Sequence, residues 1–157
     1  MILKYDDLAN IRVKHKGEKI VLTSGTFDLF HVGHLSYLER VKQYGDIVVI
    51  LLSGDDRVKA RKGSSRPIIP EGDRARILDS LKIVDYVIVD SSRLSPNATD
   101  PIHAEILQKL QPDYYVTDGP DPRFVDLMDA SKFIILERMQ PDPSTTTIIE
   151  RIRGLEK

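Results

Sequence analysis

The sequence predicts an α/β fold: a doubly wound parallel sheet of about five strands in three layers, αβα. Three observations carry that prediction. Short apolar runs recur along the chain: "KIVLTS" (19–24), "DIVVILLS" (46–53), "DYVIVD" (85–90), "DYYVTD" (113–118) and "KFIILE" (132–137). The longest of them is apolar at consecutive positions, the mark of a strand covered on both faces. Helix-period stretches lie between most of these runs, as parallel strands joined by crossover helices require.

The first run leads into "VGHLSYLERVKQY" (32–44), where Leu35, Leu38 and Val41 fall on one helical face. After the second strand comes a short helix near 54–61. "RPIIPEGDRARILDSL" then gives a loop and a helix from about Glu71 to Leu81, with Pro70 suited to a helix start. "PIHAEILQKL" (101–110) and "DPRFVDLMDA" (121–130) carry two further helical patterns. "STTTIIERIRGL" closes the chain as a capped helix, and the segment 1–16 is expected as a short N-terminal helix packing on a single domain, 1–157. The polar connection "SSRLSPNATD" (91–100) is either a surface loop or part of a lid.

Composition narrows the function. A chain of 157 residues can bury about two-thirds of its unfolded surface, so it folds without disulfides or a structural metal. It has no cysteine, which excludes thiolate zinc sites and cysteine nucleophiles and fits a reducing, cytoplasmic setting. With 23 basic and 24 acidic residues it lacks the basic footprint of a nucleic-acid binder. "IVVILL" (47–52) is too short to cross a bilayer, and the charged first residues do not read as a secretion signal, so no membrane partner is expected.

Three motifs carry chemistry. In open parallel sheets ligands sit beyond the carboxyl ends of the strands. "GTFDLFHVGH" (25–34) leaves the first strand at that end, putting His31 and His34 near the start of the next helix. Residues three apart share a helical face, and a helix N-terminus with its free N–H groups attracts anions. Gly33 leaves room for a phosphate to approach. Two histidines alone are equally compatible with solvated loop or capping roles, and without a third ligand nearby a metal pair is disfavoured. The absence of G-x-G-x-x-G disfavours a nicotinamide-dependent oxidoreductase. "PSTTT" (143–147) places four hydroxyls at another helix start, where a cap needs one. "RVKARKGSSRP" (57–67), then Arg74 and Arg76, supplies charge for closing over a polyphosphate or simply a solvated face.

Together these pieces resemble a known pattern. "GTFDLFHVGH" is similar to the signature of the HxGH nucleotidylyltransferases, in the cytidylyltransferase-like branch, and "STTTII" to that branch's late motif. "KGSSRPIIPEGDRARIL" followed by "LKIVDYVIV" resembles heptose-1-phosphate adenylyltransferases, and less closely glycerol-3-phosphate cytidylyltransferases. The resemblance spans about Lys19 to Ile152 and implies a Rossmann-like domain. It implies that Gly25, Thr26, Phe27 and Gly33 line the nucleotide pocket, that His31 and His34 stabilise the α-phosphorus, and that Lys62 acts from a mobile loop. Arg74, Asp118, Gly119, Ser144, Thr145 and Thr146 would bind nucleotide, and Asp28 would meet the acceptor.

Two positions depart from the pattern. The branch usually carries a "GGD" or "GDD" turn after the fourth strand, with a preceding lysine; here "VTDGPDP" (116–122) puts Pro120 there or displaces the acid to Asp121. An arginine usually stands five residues before the late serine; here Met139 does, with Arg138 six before Ser144. The implied reaction moves AMP from ATP to a phosphorylated small molecule, a sugar 1-phosphate favoured, with Mg²⁺ accompanying the nucleotide. CTP with glycerol 3-phosphate, or ATP with flavin mononucleotide, are the alternatives, and a non-catalytic nucleotide-binding module stands behind them. The resemblance also raises a homodimer.

Overall fold

The computed structural model describes residues 1–91, 101–119, 121, 124–137 and 144–155. Six parallel strands form one sheet in the order β1-β4-β3-β2-β5-β6. They are β1 (Ile2–Leu3), β2 (Ile20–Gly25), β3 (Ile47–Ser53), β4 (Tyr86–Asp90), β5 (Tyr114–Thr117) and β6 (Phe133–Ile135). The helices are α1 (Leu8–Lys14), α2 (Val32–Lys42), α3 (Asp55–Lys62), α4 (Glu71–Asp79), α5 (Pro101–Leu110) and α6 (Thr145–Gly154).

The strand order makes β2 the turning point. The chain winds from β2 through β3 to β4, then crosses back to place β5 on the other side of β2. The switch point therefore lies between the carboxyl ends of β2 and β5, where such sheets open a crevice for ligands. β3 is buried along its whole length. Its Ile47, Val49 and Leu51 join Leu8 and Ile11 of α1 and Ile106 and Leu110 of α5 on one face. Val48, Ile50 and Leu52 join Leu38 and Val41 of α2 and Ala75 and Leu78 of α4 on the other. Strand alternation thus turns one apolar run into two cores, which gives three layers.

Two expectations need correction. The sheet has six strands rather than about five, because the N-terminal segment begins with β1, paired to β4 through Ile2–Val87 and Leu3–Ile88. Only then come a 3₁₀ turn (Tyr5–Asp7) and α1. The expected helix over 121–130 does not form among the described residues; 124–127 are turns, followed by a 3₁₀ helix at Ala130–Lys132. Its apolar residues do not share a buried face: Phe124 is buried, while Val125 and Leu127 are 47% and 37% exposed. The connection 92–100 and the positions Pro120, Pro122, Arg138 and Met139 lie outside the described residues.

Candidate functional site

The site is built on the turn between β2 and α2. Gly25 ends the strand with the Phe27 ring against it; a Cβ there would lie 2.6 Å from Phe27 Cε2, so only glycine fits. Phe27 and Leu29 then adopt left-handed backbone, φ +49° and +48°. For bulky residues this costs about 1–3 kcal/mol each, and such strain persists only where the surroundings hold it. Asp28, between them, is where the holding occurs. It is 1% exposed, and Arg66 donates to its Oδ2 from Nε (2.9 Å) and Nη2 (2.7 Å). The Ile68 and Ile69 N–H groups complete the carboxylate's shell at 3.0–3.1 Å. Burial pushes the Asp28 carboxyl up, but these N–H groups and the Arg66 charge outweigh it and hold it below the usual range.

The turn delivers both histidines to the start of α2. His31 is the N-cap residue, in extended conformation, and Gly33 is the second residue of the helix. The two imidazoles stack with centroids 3.8 Å apart, and His34 also meets the rings of Phe27 and Phe30 at 5.4 and 5.5 Å. The His31 backbone N–H donates to His34 Nδ1 at 3.4 Å. That nitrogen is therefore the acceptor, and the neutral ring carries its proton on Nε2. Burial, then the neighbouring His31 and the Lys62 ammonium, lower the His34 pKa to about 4. His34 is thus a neutral hydrogen-bond donor at physiological pH, seated beside a helix N-terminus and a cation.

The basic run divides by depth. Arg57 is buried and paired with Asp90 at 3.4 Å. Arg61 donates to Thr26 Oγ1 at 2.7 Å, Lys62 ends α3 with its charge felt at His34, and Arg66 clamps Asp28. Arg74 is buried beneath the turn. Its side chain is wholly buried and donates to the carbonyls of Ile69 (2.8 Å), Thr26 (2.6 Å) and Ser53 (2.9 Å) and to Asp55 (2.7 Å). From there it braces the turn to the end of β3. The Asp28 carboxylate is likewise engaged within the protein, by Arg66 and the Ile68 and Ile69 N–H groups.

The late motif reaches the same turn. Ser144 caps α6, accepting from the Thr147 N–H at 3.1 Å, and Thr145 Oγ1 donates to the Asp28 carbonyl at 2.7 Å. Thr146 is exposed beside them. At the end of β5, Thr117 Oγ1 donates to the Gly119 carbonyl at 2.9 Å, with Asp118 exposed between. The displaced acid, Asp121, is buried: Tyr115 OH donates to its Oδ2 at 2.5 Å and Ser24 Oγ at 3.3 Å. Residue type alone did not reveal this pull beneath the switch point. Nor did it reveal Tyr37, whose hydroxyl donates to the Val116 carbonyl (2.9 Å) and bonds Thr23 Oγ1 (2.6 Å), tying α2 across β2 to β5. Burial raises the Tyr37 pKa, so the phenol stays protonated.

Among the described residues no group of three His, Asp or Glu side chains could hold a metal ion, and no helix is long and apolar enough to cross a membrane.

The chain is 37% identical over 158 residues, 99% of its length, to the bifunctional protein HldE of Aliarcobacter butzleri (strain RM4018), and 40% identical over 143 residues, 90% of its length, to that of Helicobacter pylori (strain HPAG1). It spans 32% and 29% of those proteins, about a third of their length. Two solved structures share the fold. Pantoate-beta-alanine ligase from Francisella tularensis matches with a TM-score of 0.62 at 18% identity, over 99% of this chain and 77% of that one. A lipopolysaccharide core biosynthesis protein from Thermoplasma volcanium GSS1 matches at 0.59 and 22% identity, over 79% of this chain and all of the other. The cytidylyltransferase-like family profile matches residues 22–151, from inside β2 to inside α6, and the chain belongs to that family.

Proposed function

We propose that this chain transfers a nucleotidyl group from a nucleoside triphosphate to the phosphate of a small molecule, releasing pyrophosphate, with ATP as donor and a sugar 1-phosphate as acceptor. The observation that carries the reading is the stacked His31–His34 pair at the start of α2, with His34 neutral and the Lys62 charge felt there. A phosphate oxygen of the acceptor attacks the α-phosphorus in line, and the bond from that phosphorus to the bridging β-phosphate oxygen breaks. The attacking oxygen is already ionised, so no protein base is needed. Catalysis is then positioning and charge stabilisation. His34 donates from Nε2 to the phosphate as charge builds, the α2 N–H groups face the same oxygens, and Lys62 offsets charge on the leaving side.

Mg²⁺ belongs to the substrate in this reading. A hard cation prefers carboxylate oxygens. The turn's carboxylate, Asp28, is already taken by Arg66 and two backbone N–H groups, so the ion arrives on the triphosphate and neutralises it there. ATP is favoured because "KGSSRPIIPEGDRARIL" resembles the heptose-1-phosphate adenylyltransferases, and the HldE relatives match across that stretch. CTP with glycerol 3-phosphate is the second reading, since the matching family is cytidylyltransferase-like.

The test is pyrophosphate release with Mg²⁺, ATP against CTP, across sugar 1-phosphates, glycerol 3-phosphate and flavin mononucleotide. Release with ATP and a sugar 1-phosphate is the expected result. Release with CTP and glycerol 3-phosphate would replace the donor and acceptor, and tight nucleotide binding with no release on any acceptor would mark a binding module instead.

A further inference from the structure

Arg66 has no part in the chemistry described so far, yet three segments of the site meet at the residue it holds. The Asp28 side chain takes two donors from Arg66 and the N–H groups of Ile68 and Ile69, which fastens the loop after Gly63 to the β2–α2 turn. The Asp28 carbonyl takes Thr145 Oγ1, which fastens the start of α6 to the same turn. Phe27 and Leu29, either side of Asp28, are both left-handed, so this residue sits in a turn that would relax if released. Lys62 stands at the near end of the fastened loop, and its charge is felt at His34.

We propose that Arg66 is a positioning residue for nucleotidyl transfer: by clamping Asp28 it holds the strained turn that presents His31 and His34, and keeps Lys62 beside them. The inference rests on the transfer reading above. Its geometry has a direct consequence at His34, which burial, His31 and Lys62 hold low while Asp28 pulls it up. Freeing Asp28 from Arg66, admitting water and letting Lys62 drift away all act in one direction. Each raises the His34 pKa.

The experiment compares the full chain with Arg66→Met and Arg66→Lys, reading the His34 imidazole by NMR titration alongside turnover. In Arg66→Met the His34 midpoint is expected to rise by at least one unit from about 4, and turnover to fall on the order of tenfold to a hundredfold, the penalty of misplacing reacting groups. Lysine can still offer a donor to Asp28 Oδ2, so Arg66→Lys should fall between wild type and Arg66→Met in both readouts. An unmoved His34 midpoint in a folded Arg66→Met chain, whatever its melting temperature, would overturn the proposal. The titration needs no substrate. If His34 moves as expected while the wild-type chain releases no pyrophosphate with any pair, the clamp stands and the transfer reading fails.

Discussion

Arg12 on α1 donates to the carbonyls of Leu110 (3.3 Å), Gln111 (2.6 Å) and Glu18 (3.1 Å), and pairs with Asp113 at 2.9 Å. Arg74 on α4 does nearly the same with Ile69, Thr26, Ser53 and Asp55. Each guanidinium joins three main-chain acceptors and one carboxylate. They differ in depth and in which end of the sheet they serve. Arg12 keeps 22% side-chain exposure near the amino ends of β2 and β5, whereas Arg74 keeps none near the carboxyl ends of β2 and β3. Water can replace what Arg12 supplies. Nothing can replace Arg74, and the carbonyl of Thr26 that it holds belongs to the turn carrying the histidines. The same bonding therefore braces the fold at one end and the site at the other.

The sharpest way to break that comparison is Arg74→Met. It strands buried carbonyls and the Asp55 carboxylate, and the expected loss is about 3–5 kcal/mol of stability, with activity lost at the same time. Urea unfolding and pyrophosphate release measure the two. A cost no larger than that of Arg12→Met would mean that burial does not distinguish the braces.

His34→Ala removes a donor that the Arg74 brace helps to present, without touching the brace. Turnover is expected to fall on the order of 10²–10³; a loss under about threefold in a folded chain would remove His34 from transition-state stabilisation. Its pH signature has a definite sign. The folded pKa of about 4 lies below the ordinary 6.5, so between those values the unfolded chain binds a proton that the folded chain does not. Stability tied to His34 is complete above pH 6.5 and is lost as pH falls toward 4. Denaturation curves across that window should therefore be steeper in pH for wild type than for His34→Ala.

Arg12→Met is the counterpart at the amino end. Its partly exposed position points to about 1–2 kcal/mol, since water takes over some of its acceptors. Turnover should be unchanged at a temperature where the variant is folded. A fall in turnover beyond that explained by the unfolded fraction would show that the amino end also shapes the site.

How far the sequence revealed these two ends follows from what each signal encodes. β3 was legible because six of its seven buried residues, Ile47 to Leu52, form one apolar run, and the His31–His34 turn because its spacing sits where a strand gives way to a helix. β1 was not, since two residues become a strand only by pairing with β4, a tertiary event. The pattern at 121–130 looked helical, but only Phe124 among its described apolar residues is fully buried. Asp28 and Arg66 are 38 residues apart, so their residue types showed charge but not that each was the other's partner. Arg74 did leave a trace. It shares the inward face of α4 with Leu78, four residues on, and an arginine at a core-facing position is itself a sign of a buried brace.

The smallest expected effect is at Ser144, and it tests whether α6 belongs to the braced region at all. Ser144 Oγ accepts the Thr147 N–H, but none of the residues of α6 is buried, and a bond from Thr145 Oγ1 ties its start to Asp28. Removing a serine cap costs about 1 kcal/mol where the helix is part of the cooperative unit. Here that cost should stay local. Ser144→Ala should speed hydrogen exchange at the Thr147 amide about fivefold, the equivalent of 1 kcal/mol, while the global unfolding midpoint stays in place. A drop in that midpoint matching Arg12→Met would mean that α6 folds and unfolds with the sheet, and that the Thr145–Asp28 bond carries part of the site's rigidity.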